Sequence, residues 1–402
     1  MKFLVVEQDL RISGTSQGII SRSFLSKLRT SYPESNIDVL YLKQQPSEDQ
    51  LDLLPVDSIE THILDLRIPF FTKLANHIYW RLFHVSLNEN YIHSVYASYI
   101  AKIYYQKYDH IFIRSAGLNH EILLATKDLP ILKKAIVNFH EPYPIFWCSG
   151  SKIKLTNLEL FRMKKMFEVV VRAKSCMATS LLSEDMSYLY GSRKIFHNLP
   201  HQYDESVFDL SDVSNVLKKK KKIMISYHGA IQFGRDIEIL LDAYQFLVET
   251  NPLYKENTEF ILRLKGIDLV KLAERFSNTP NIIIMDCLNF SNSCYEQMYE
   301  ADINIILENG PLYCNILVGK APFLAATQKP ILSISPERSE MRIIIKNPQY
   351  IACCEDKEEI KNKLENLIVN RMNSDEAVYP FGDYFSDENF KVMLDDILIV
   401  KK

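Results

Sequence analysis

The sequence lacks long hydrophobic runs and lacks an excess of charge of either sign. Its apolar stretches stay short of the roughly 18 residues of a membrane helix, and MKFLVVEQDL reaches Glu7 and Asp9 before a signal-type core develops. Lysine and arginine number 47 against 50 acidic residues, for a net charge of -3, so no chain-wide field attracts nucleic acid. We therefore expect a cytoplasmic protein with no nucleic-acid partner.

Cysteine and glycine signatures are also missing. The seven cysteines are odd in number and form no CxxC pair, so we predict small buried hydrophobes, with no disulfide framework and no metal site. Neither GxGxxG nor GxxxxGK[ST] occurs. The sequence therefore gives no support for a nicotinamide or P-loop nucleotide site, and we predict no cofactor.

Short apolar runs alternate with helical segments in two series. The first series comprises FLVVE, IDVLYL, IFIR and AIVNF, and the second KIMISY, FILRLK, IIIM, INIIL and PILSI. This alternation is typical of parallel sheets covered by helices on both faces. We predict two Rossmann-like α/β domains, residues 1–210 and 211–378, and a C-terminal helix in 379–402 that crosses back to the first domain.

A polar connector with the lysine run 218–222 lies between the two series. Such a run can contact an anionic surface, but it is more often a solvated linker, and we favour the linker.

Loops that directly follow strands hold the candidate site residues, because ligands of doubly wound sheets bind at the carboxyl ends of strands. Gly14 and Gly18 allow either a plain tight turn or a loop whose backbone faces a ligand. After AIVNF, the prolines of HEPYP hold His140 and Glu141 in an extended loop. These two residues are either a general acid/base pair or a local pair without a catalytic role, and we favour catalysis.

In the second half, a strand leads into a helix through the turn that Gly229 and Gly234 bracket. Arg235 is predicted at the helix start, where the free amide groups and the dipole favour an anion. Because a cation is otherwise unfavourable there, Arg235 indicates phosphate binding. The alternative is a salt bridge to Asp236 or Glu238.

The stretch from 301 to 340 is the most specific part of the chain. It runs from the strand INIIL through a variable loop to Gly319 and Lys320, a short helix PFLAAT, and QKP before ILSIS. This order resembles the nucleotide-sugar-binding segment of GT-B glycosyltransferases of the family 4 kind. Gly229 with Arg235 is similar to the family's glycine and basic pair, and Ser180, Asn198 and His140 match further markers.

The resemblance ends at the family's pair of glutamates separated by seven residues. Their positions hold Asn315 and Phe323, and the arginine expected directly after the glycine is Ala230. Glu308, earlier in the segment, is kept as a candidate donor contact, and Lys265 is the candidate for the missing cation. Either ribose recognition is rebuilt by other residues, or donor binding is weakened or lost.

The resemblance implies an α/β fold of GT-B type, two Rossmann-like doubly wound domains facing across a cleft, with acceptor domain 1–210 and donor domain 211–378. It implies hexosyl transfer, retaining and metal-independent, from a nucleotide sugar such as a UDP- or GDP-sugar to a saccharide or lipid-linked acceptor, in surface polysaccharide biosynthesis. Together with the loop positions above, this gives as candidate donor-binding residues Gly14, Gly229, Arg235, Lys265, Glu308 and Lys320, and as candidate catalytic residues His140 and Glu141. The alternatives are a catalytically decayed scaffold or binding protein and, more weakly, a nucleotide-sugar epimerase.

Two further segments suggest surfaces. Residues 151–174 carry seven basic against two acidic side chains, so this segment is either a helix on the anionic inner face of the membrane or a core helix with a solvated basic face. The aromatic stretch 75–96 can dock a sugar, but we predict helical core.

Overall fold

The computed structural model describes residues 1–12, 16–47, 49–152, 154–191, 194–308, 310 and 313–399. The chain divides into two compact units, Met1–Val207 with Ser386–Lys402, and Phe208–Phe385. Among the described residues, no helix combines the length and the apolar composition that crossing a membrane requires.

The first unit is built on a seven-stranded parallel sheet. Its strands are β1 (Lys2–Glu7), β2 (Asn36–Lys43), β3 (Ser58–Ile63), β4 (His110–Arg114), β5 (Ala135–Asn138), β6 (Ser175–Ala178) and β7 (Phe196–Asn198). Their spatial order is β3-β2-β1-β4-β5-β6-β7. The central strands are continuously apolar because helices cover both faces, and Val5 and Phe112 are fully buried.

The helices of this unit are α1 (Ser16–Ser31), α2 (Phe70–Phe83), α3 (Leu87–Ile100), α4 (Glu121–Ala125), α5 (Asn157–Arg172) and α6 (Ser180–Tyr190). Helix α1 turns one apolar face to the sheet, where Ile20, Phe24 and Leu28 are buried. Gly18 lies in the first turn of α1, and a Cβ there would come within 2.0 Å of the main-chain oxygen of Arg11. Glycine therefore permits the close contact between α1 and the loop after β1.

The second unit repeats this architecture with a six-stranded parallel sheet of order β10-β9-β8-β11-β13-β15 and a separate two-stranded ladder, β12-β14. The strands are β8 (Ile223–Ala230), β9 (Thr258–Lys265), β10 (Ile282–Asp286), β11 (Ile303–Leu307), β12 (Tyr313–Cys314), β13 (Ile331–Ser335), β14 (Arg338–Ser339) and β15 (Ile351–Cys353). The helices are α7 (Glu238–Thr250), α8 (Pro252–Asn257), α9 (Leu269–Arg275), α10 (Phe290–Tyr295), α11 (Ala321–Ala326), α12 (Glu340–Ile344) and α13 (Lys357–Asn373). The fold prediction of two Rossmann-like doubly wound domains is confirmed.

The last helix, α14 (Asp387–Leu398), packs in the first unit. Phe390 meets Phe24 edge to face with ring centroids 6.2 Å apart, and Lys27 forms an ion pair of 2.6 Å with Asp387. The hydroxyl of Tyr32 donates a hydrogen bond to Asp395.

Three local predictions are wrong. The stretch 75–96 is helical, but α2 contains no buried residue, because only part of one face rests on the protein. Cys287 is exposed rather than buried. Finally, α7 begins at Glu238, so Arg235 lies in the loop before the helix, whose first turn is capped by Asp236 through its hydrogen bond from the Glu238 amide.

Candidate functional site

Three predicted donor residues lie together at the carboxyl end of β8. The ammonium of Lys320, which precedes α11, donates a hydrogen bond to the main-chain oxygen of His228. A Cβ on Gly229 would lie 3.5 Å from this nitrogen. Arg235 returns to the same strand end and donates from Nη1 to the main-chain oxygen of Ala230 at 2.9 Å. The loop after β8 thus places Arg235, and the start of α11 places Lys320, at the carboxyl end of β8.

Tyr227 is the platform beneath these cations, and the sequence interpretation missed it. Its ring is buried, and the Lys320 nitrogen lies 4.3 Å above the ring centroid. Such a contact stabilises a cation while leaving its other face open. The only available signal was an aromatic residue two positions before the glycine at the strand end, which is a common arrangement in buried strands.

The salt bridge considered for Arg235 is not formed. Asp236 caps α7 instead, and Glu238 pairs with Arg275. Within the described part of the chain, the Nε of Arg235 is buried and has no hydrogen-bond partner. The Nε–H of Arg235 therefore remains a donor without an acceptor among the described residues.

The two cations oppose one another electrostatically. Burial, together with the positive charge of Arg235, lowers the pKa of Lys320 to about 7. No carboxylate in the described residues forms an ion pair with Lys320 or Arg235. The arrangement concentrates positive charge and leaves it without a counter-ion, which favours binding of an anion.

A buried network supports the strand end from behind. Arg263 on β9 binds Glu296 through two nitrogens, at 2.9 and 2.6 Å, and His228 lies 3.2 Å from the same carboxylate. Burial alone would raise the pKa of Glu296, but hydrogen bonds from His228 and Arg263 hold it down to about 2. The other ring nitrogen of His228 lies 2.8 Å from the Ser293 hydroxyl. This network fixes the position of His228, whose carbonyl receives the Lys320 hydrogen bond.

The remaining donor candidates differ in placement. Lys265 ends β9 opposite Ala230, and its side chain is exposed. Glu308 follows β11 and is only 3% exposed. Gly14 lies outside the described residues.

The carboxyl group of Glu308 is enclosed by neighbouring polar groups. Burial raises its pKa to about 7, although hydrogen bonds from Ser335, Ser339 and the Met341 amide act in the opposite direction. The positions where the resemblance expects carboxylates are also enclosed, since Asn315 and Phe323 are both buried. Glu308 and the two positions that hold Asn315 and Phe323 are therefore all inside the protein.

His140 follows β5 in the first unit and is 1% exposed. Neither ring nitrogen has a hydrogen-bond partner among the described residues, and its ring centroid lies 5.4 Å from that of His201. Burial and the charge of Arg114 lower its pKa well below the usual value, so His140 is neutral at pH 7. Glu141 beside it is partly exposed.

The positive charge near His140 belongs to a buried ion pair. Arg114 lies 2.7 Å from Glu7, and its guanidinium lies 3.9 Å from the Phe24 ring centroid. The two family markers Ser180 and Asn198 also meet, with a 3.0 Å hydrogen bond from the Asn198 amide to the Ser180 hydroxyl.

The first unit contains a polar cavity of about 310 Å³ at the carboxyl ends of β1, β2 and β4. Its lining includes Asp9, Arg11, Tyr41, Lys43 and Glu121. Asp9 and Arg11 form a bidentate pair at 2.9 and 2.7 Å. Sequence reasoning missed this cavity because its residues come from three separate segments, although each lies at or after the end of a predicted strand.

Within the described residues, no group of three or more histidine, cysteine, aspartate or glutamate side chains is arranged to hold a metal ion.

Comparisons with known proteins give a structural likeness only. No family model matches the sequence, and no curated protein matches it. The structure is similar to OtsA in its apo form (TM-score 0.62, 12% identity, 100% of each chain) and to the lipopolysaccharide outer core galactosyltransferase WaaB (0.60, 12%, 100% of each chain). It is also similar to UDP-GlcNAc 2-epimerase from Neisseria meningitidis bound to UDP-GlcNAc (0.54, 12%, 99% of this chain and 100% of that one). At this identity the likeness establishes the GT-B type of fold.

Proposed function

We propose that this protein is a glycosyltransferase that moves a sugar from a nucleotide-sugar donor to a saccharide or lipid-linked acceptor. The observation that carries the proposal is the pair Lys320 and Arg235, held beside Gly229 without a carboxylate counter-ion in the described residues. A diphosphate supplies the missing negative charge. When the glycosidic bond to the donor breaks, the same cations stabilise the charge that develops on the leaving phosphate.

The proposed donor contacts are Lys320, Arg235 and the backbone at Gly229, and Lys265 is the third cation. Lys265 is exposed at the end of the neighbouring strand and has rotamer freedom to reach a phosphate. We assign Glu308 a different role, because its enclosure leaves little surface for a ribose. It anchors the start of α12, where it accepts a weak hydrogen bond of 3.4 Å from the Met341 amide.

The proposal assigns 211–378 to the donor and 1–210 to the acceptor. On the acceptor side, the cavity lined by Asp9, Arg11 and Glu121 offers the charged and polar groups that hydrogen-bond sugar hydroxyls. His140 and Glu141 remain the proposed catalytic residues. His140 acts as a neutral hydrogen-bonding group, because its lowered pKa leaves the ring uncharged at pH 7, with a proton on only one of its two nitrogens.

Donor binding is tested by calorimetric titration of the protein with UDP, GDP and their common sugar conjugates. The test variant is Lys320→Ala, and the matched control is Lys271→Ala, which removes an exposed lysine from α9. We expect one nucleotide to bind to the wild type and the control, with strong loss in Lys320→Ala. Equal binding to both variants contradicts the assigned site.

The reaction is tested with the selected donor and a panel of saccharide and lipid-linked acceptors. Acceptor-dependent release of the nucleoside diphosphate, with a lengthened saccharide, supports transfer. An isomerised nucleotide sugar without acceptor identifies an epimerase. Failure to bind any nucleotide identifies a decayed scaffold, for which Asn315 and Phe323 would be the sequence explanation.

A further inference from the structure

Helix α2 exposes more apolar surface than its neighbours. None of its residues is buried, and six of its large apolar side chains are solvent-exposed by half or more: Phe70 72%, Phe71 80%, Leu74 55%, Ile78 57%, Leu82 65% and Phe83 61%. Scattered exposed apolar residues are ordinary, but a contiguous patch on one helix marks a binding surface.

Five of these six exposed side chains share one face of α2, and Phe83 lies outside it. At 3.6 residues per turn, Phe70, Phe71, Leu74, Ile78 and Leu82 lie within an arc of about 120°. The opposite face attaches the helix to the protein. There, Asn76 accepts a 3.2 Å hydrogen bond from the amide of Asn88 at the start of α3, and the Trp80 ring meets Phe161 of α5 with centroids 6.5 Å apart. We call the five-residue outward face the apolar face of α2.

Positive charge lies within and beside the apolar face, since at 3.6 residues per turn Arg81 falls inside its arc and His77 and Lys73 fall next to it. Helix α2 carries Lys73, His77 and Arg81 and no acidic residue. Its contact with α5 brings a second set of cations nearby, and Asn157 at the start of α5 lines the same groove as His77 and Arg81. The surface around the apolar face is therefore suited to negative charge.

The predicted basic segment 151–174 contributes only part of its charge to this surface. Arg162 pairs with Glu89, and Arg172 pairs with Asp128, so both charges are neutralised within the unit. Lys152, Lys154 and Lys164 are exposed and make no ion pair with any described residue. Leu160 and Phe167, 51% and 47% exposed, lie one turn to either side of Lys164, so α5 also presents mixed apolar and basic groups.

We propose that the apolar face of α2 lies in the interfacial region of an anionic lipid bilayer, with the basic groups of α2 and α5 on the lipid headgroups. Helices with this composition bind in the plane of the interface by burying their apolar side and attracting acidic lipids. The binding element is therefore α2, and 151–174 adds charge to it. This proposal is independent of the proposed function.

Charge favours lipid over a second copy of the chain. A symmetric dimer through α2 would bring Lys73 and Arg81 of both copies together, and α2 has no acidic side chain to offset them. An anionic bilayer buries the same apolar groups and neutralises those cations.

The test is sedimentation of the full-length protein with vesicles of phosphatidylcholine alone and of equal parts phosphatidylcholine and phosphatidylglycerol. The test variant is Phe71→Ser with Ile78→Ser, which removes two exposed groups from the apolar face. The matched control is Val270→Ser with Tyr299→Ser, which removes exposed groups of the second unit, 69% and 60% exposed. A third variant, Lys73→Gln with Arg81→Gln, removes the charge alone. Thermal unfolding verifies that each variant is folded, and sedimentation velocity measures self-association.

We expect the wild type and the control to bind the anionic vesicles and to bind neutral vesicles weakly. The apolar variant should lose at least about tenfold in partitioning. Full burial of one large apolar side chain is worth a factor of about ten or more, and each of the two side chains recovers part of that factor at an interface. The charge variant should lose its preference for phosphatidylglycerol. Three results overturn the proposal: no binding of the wild type to anionic vesicles, unchanged binding of the apolar variant, or a wild-type dimer that the apolar variant abolishes while vesicle binding is absent.

Discussion

The ammonium group of Lys320 lies 4.3 Å above the ring of Tyr227. This contact, with the hydrogen bond to the His228 carbonyl, holds a lysine at a strand terminus without a carboxylate partner in the described residues. A group held in this way remains available for an incoming anion. Four predictions follow from this site and its supports, and one concerns a buried carboxyl group.

Removing either cation should weaken nucleotide binding. Charge-assisted hydrogen bonds to a phosphate contribute about 1.5 to 3 kcal/mol each, so Lys320→Ala and Arg235→Ala should each raise the Kd by roughly 10- to 100-fold. Arg235→Lys should recover only part of this loss, because lysine cannot reproduce the planar donor fork. Titration calorimetry measures all three. An unchanged Kd for Arg235→Ala would remove that residue from the site.

Nucleotide binding should take up a proton above neutral pH. Lys320 has a pKa of about 7 in the free protein, and a bound diphosphate raises that pKa. At pH 8 most of the Lys320 population is neutral, so binding of a nucleotide sugar, whose diphosphate has no ionisation near neutral pH, should take up about one proton. At pH 6 the lysine is already charged and the uptake should be close to zero. Calorimetry in buffers of different ionisation enthalpy measures the uptake. Its persistence at pH 8 in Lys320→Ala would contradict the assignment.

A methyl group on Gly229 should disturb the site without a large loss of stability. The added Cβ would lie 2.9 Å from the Tyr227 hydroxyl, so the tyrosine must move and the Lys320 nitrogen with it. We expect roughly tenfold weaker nucleotide binding for Gly229→Ala, because the displaced Lys320 would lose part of its charge-assisted hydrogen bond to the phosphate. The double variant with Tyr227→Phe should recover part of the affinity, since it removes the closest atom. No recovery would mean that the ring, rather than its hydroxyl, is the obstacle.

Truncating Arg263 should destabilise the second unit. Arg263 and Glu296 are both nearly inaccessible to solvent, and Arg263→Met leaves a buried carboxylate without its main partner, at a cost of about 3 to 5 kcal/mol. The control is Lys218→Met, which removes a solvent-exposed lysine from its pair with Glu300 and should cost less than about 1 kcal/mol. Chemical denaturation compares them. Equal losses would show that burial does not govern the Arg263 pair.

Replacing Glu308 by glutamine should change how stability depends on pH. The folded-state pKa of about 7 exceeds the ordinary 4.5, so folding favours the protonated form. The stability from this group is complete below pH 4.5 and is lost as the pH rises through 7, by about 3 kcal/mol in total. Glu308→Gln lacks this titration. The free energy of unfolding of the variant minus that of the wild type should therefore increase from pH 5 to pH 8. If the two pH profiles run parallel, the assignment of a buried carboxyl group is contradicted.

The fold was predictable because its central strands are buried on both faces. Runs such as FLVVE and INIIL are continuously apolar, and they coincide with β1 and β11. Strand β3 was missed, since its sequence SIETHI is polar and exposed at the sheet edge. A continuous apolar run therefore identifies a strand that is buried on both faces, and an edge strand lacks such a run.

The site was only partly predictable. The convergence of Lys320 and Gly229 follows from strand order, which places the loops after β8 and β11 at one sheet edge. The position of Arg235 before α7, and the exposure of α2, depend on local capping and on which face of a helix finds a partner. Amphipathic spacing reveals that a helix has an apolar face, but it does not say what covers that face.

The packing of α14 in the first unit also bears on the order of events during synthesis. This helix is encoded after the whole of the second unit, yet Phe390 and Asp387 complete contacts with Phe24 and Lys27 near the other end of the chain. On the ribosome, the first unit therefore cannot complete its packing, and the surface of α1 stays uncovered, until some 180 further residues have been added and α14 emerges. During that interval the uncovered aromatic surface around Phe24 is a natural contact for a chaperone.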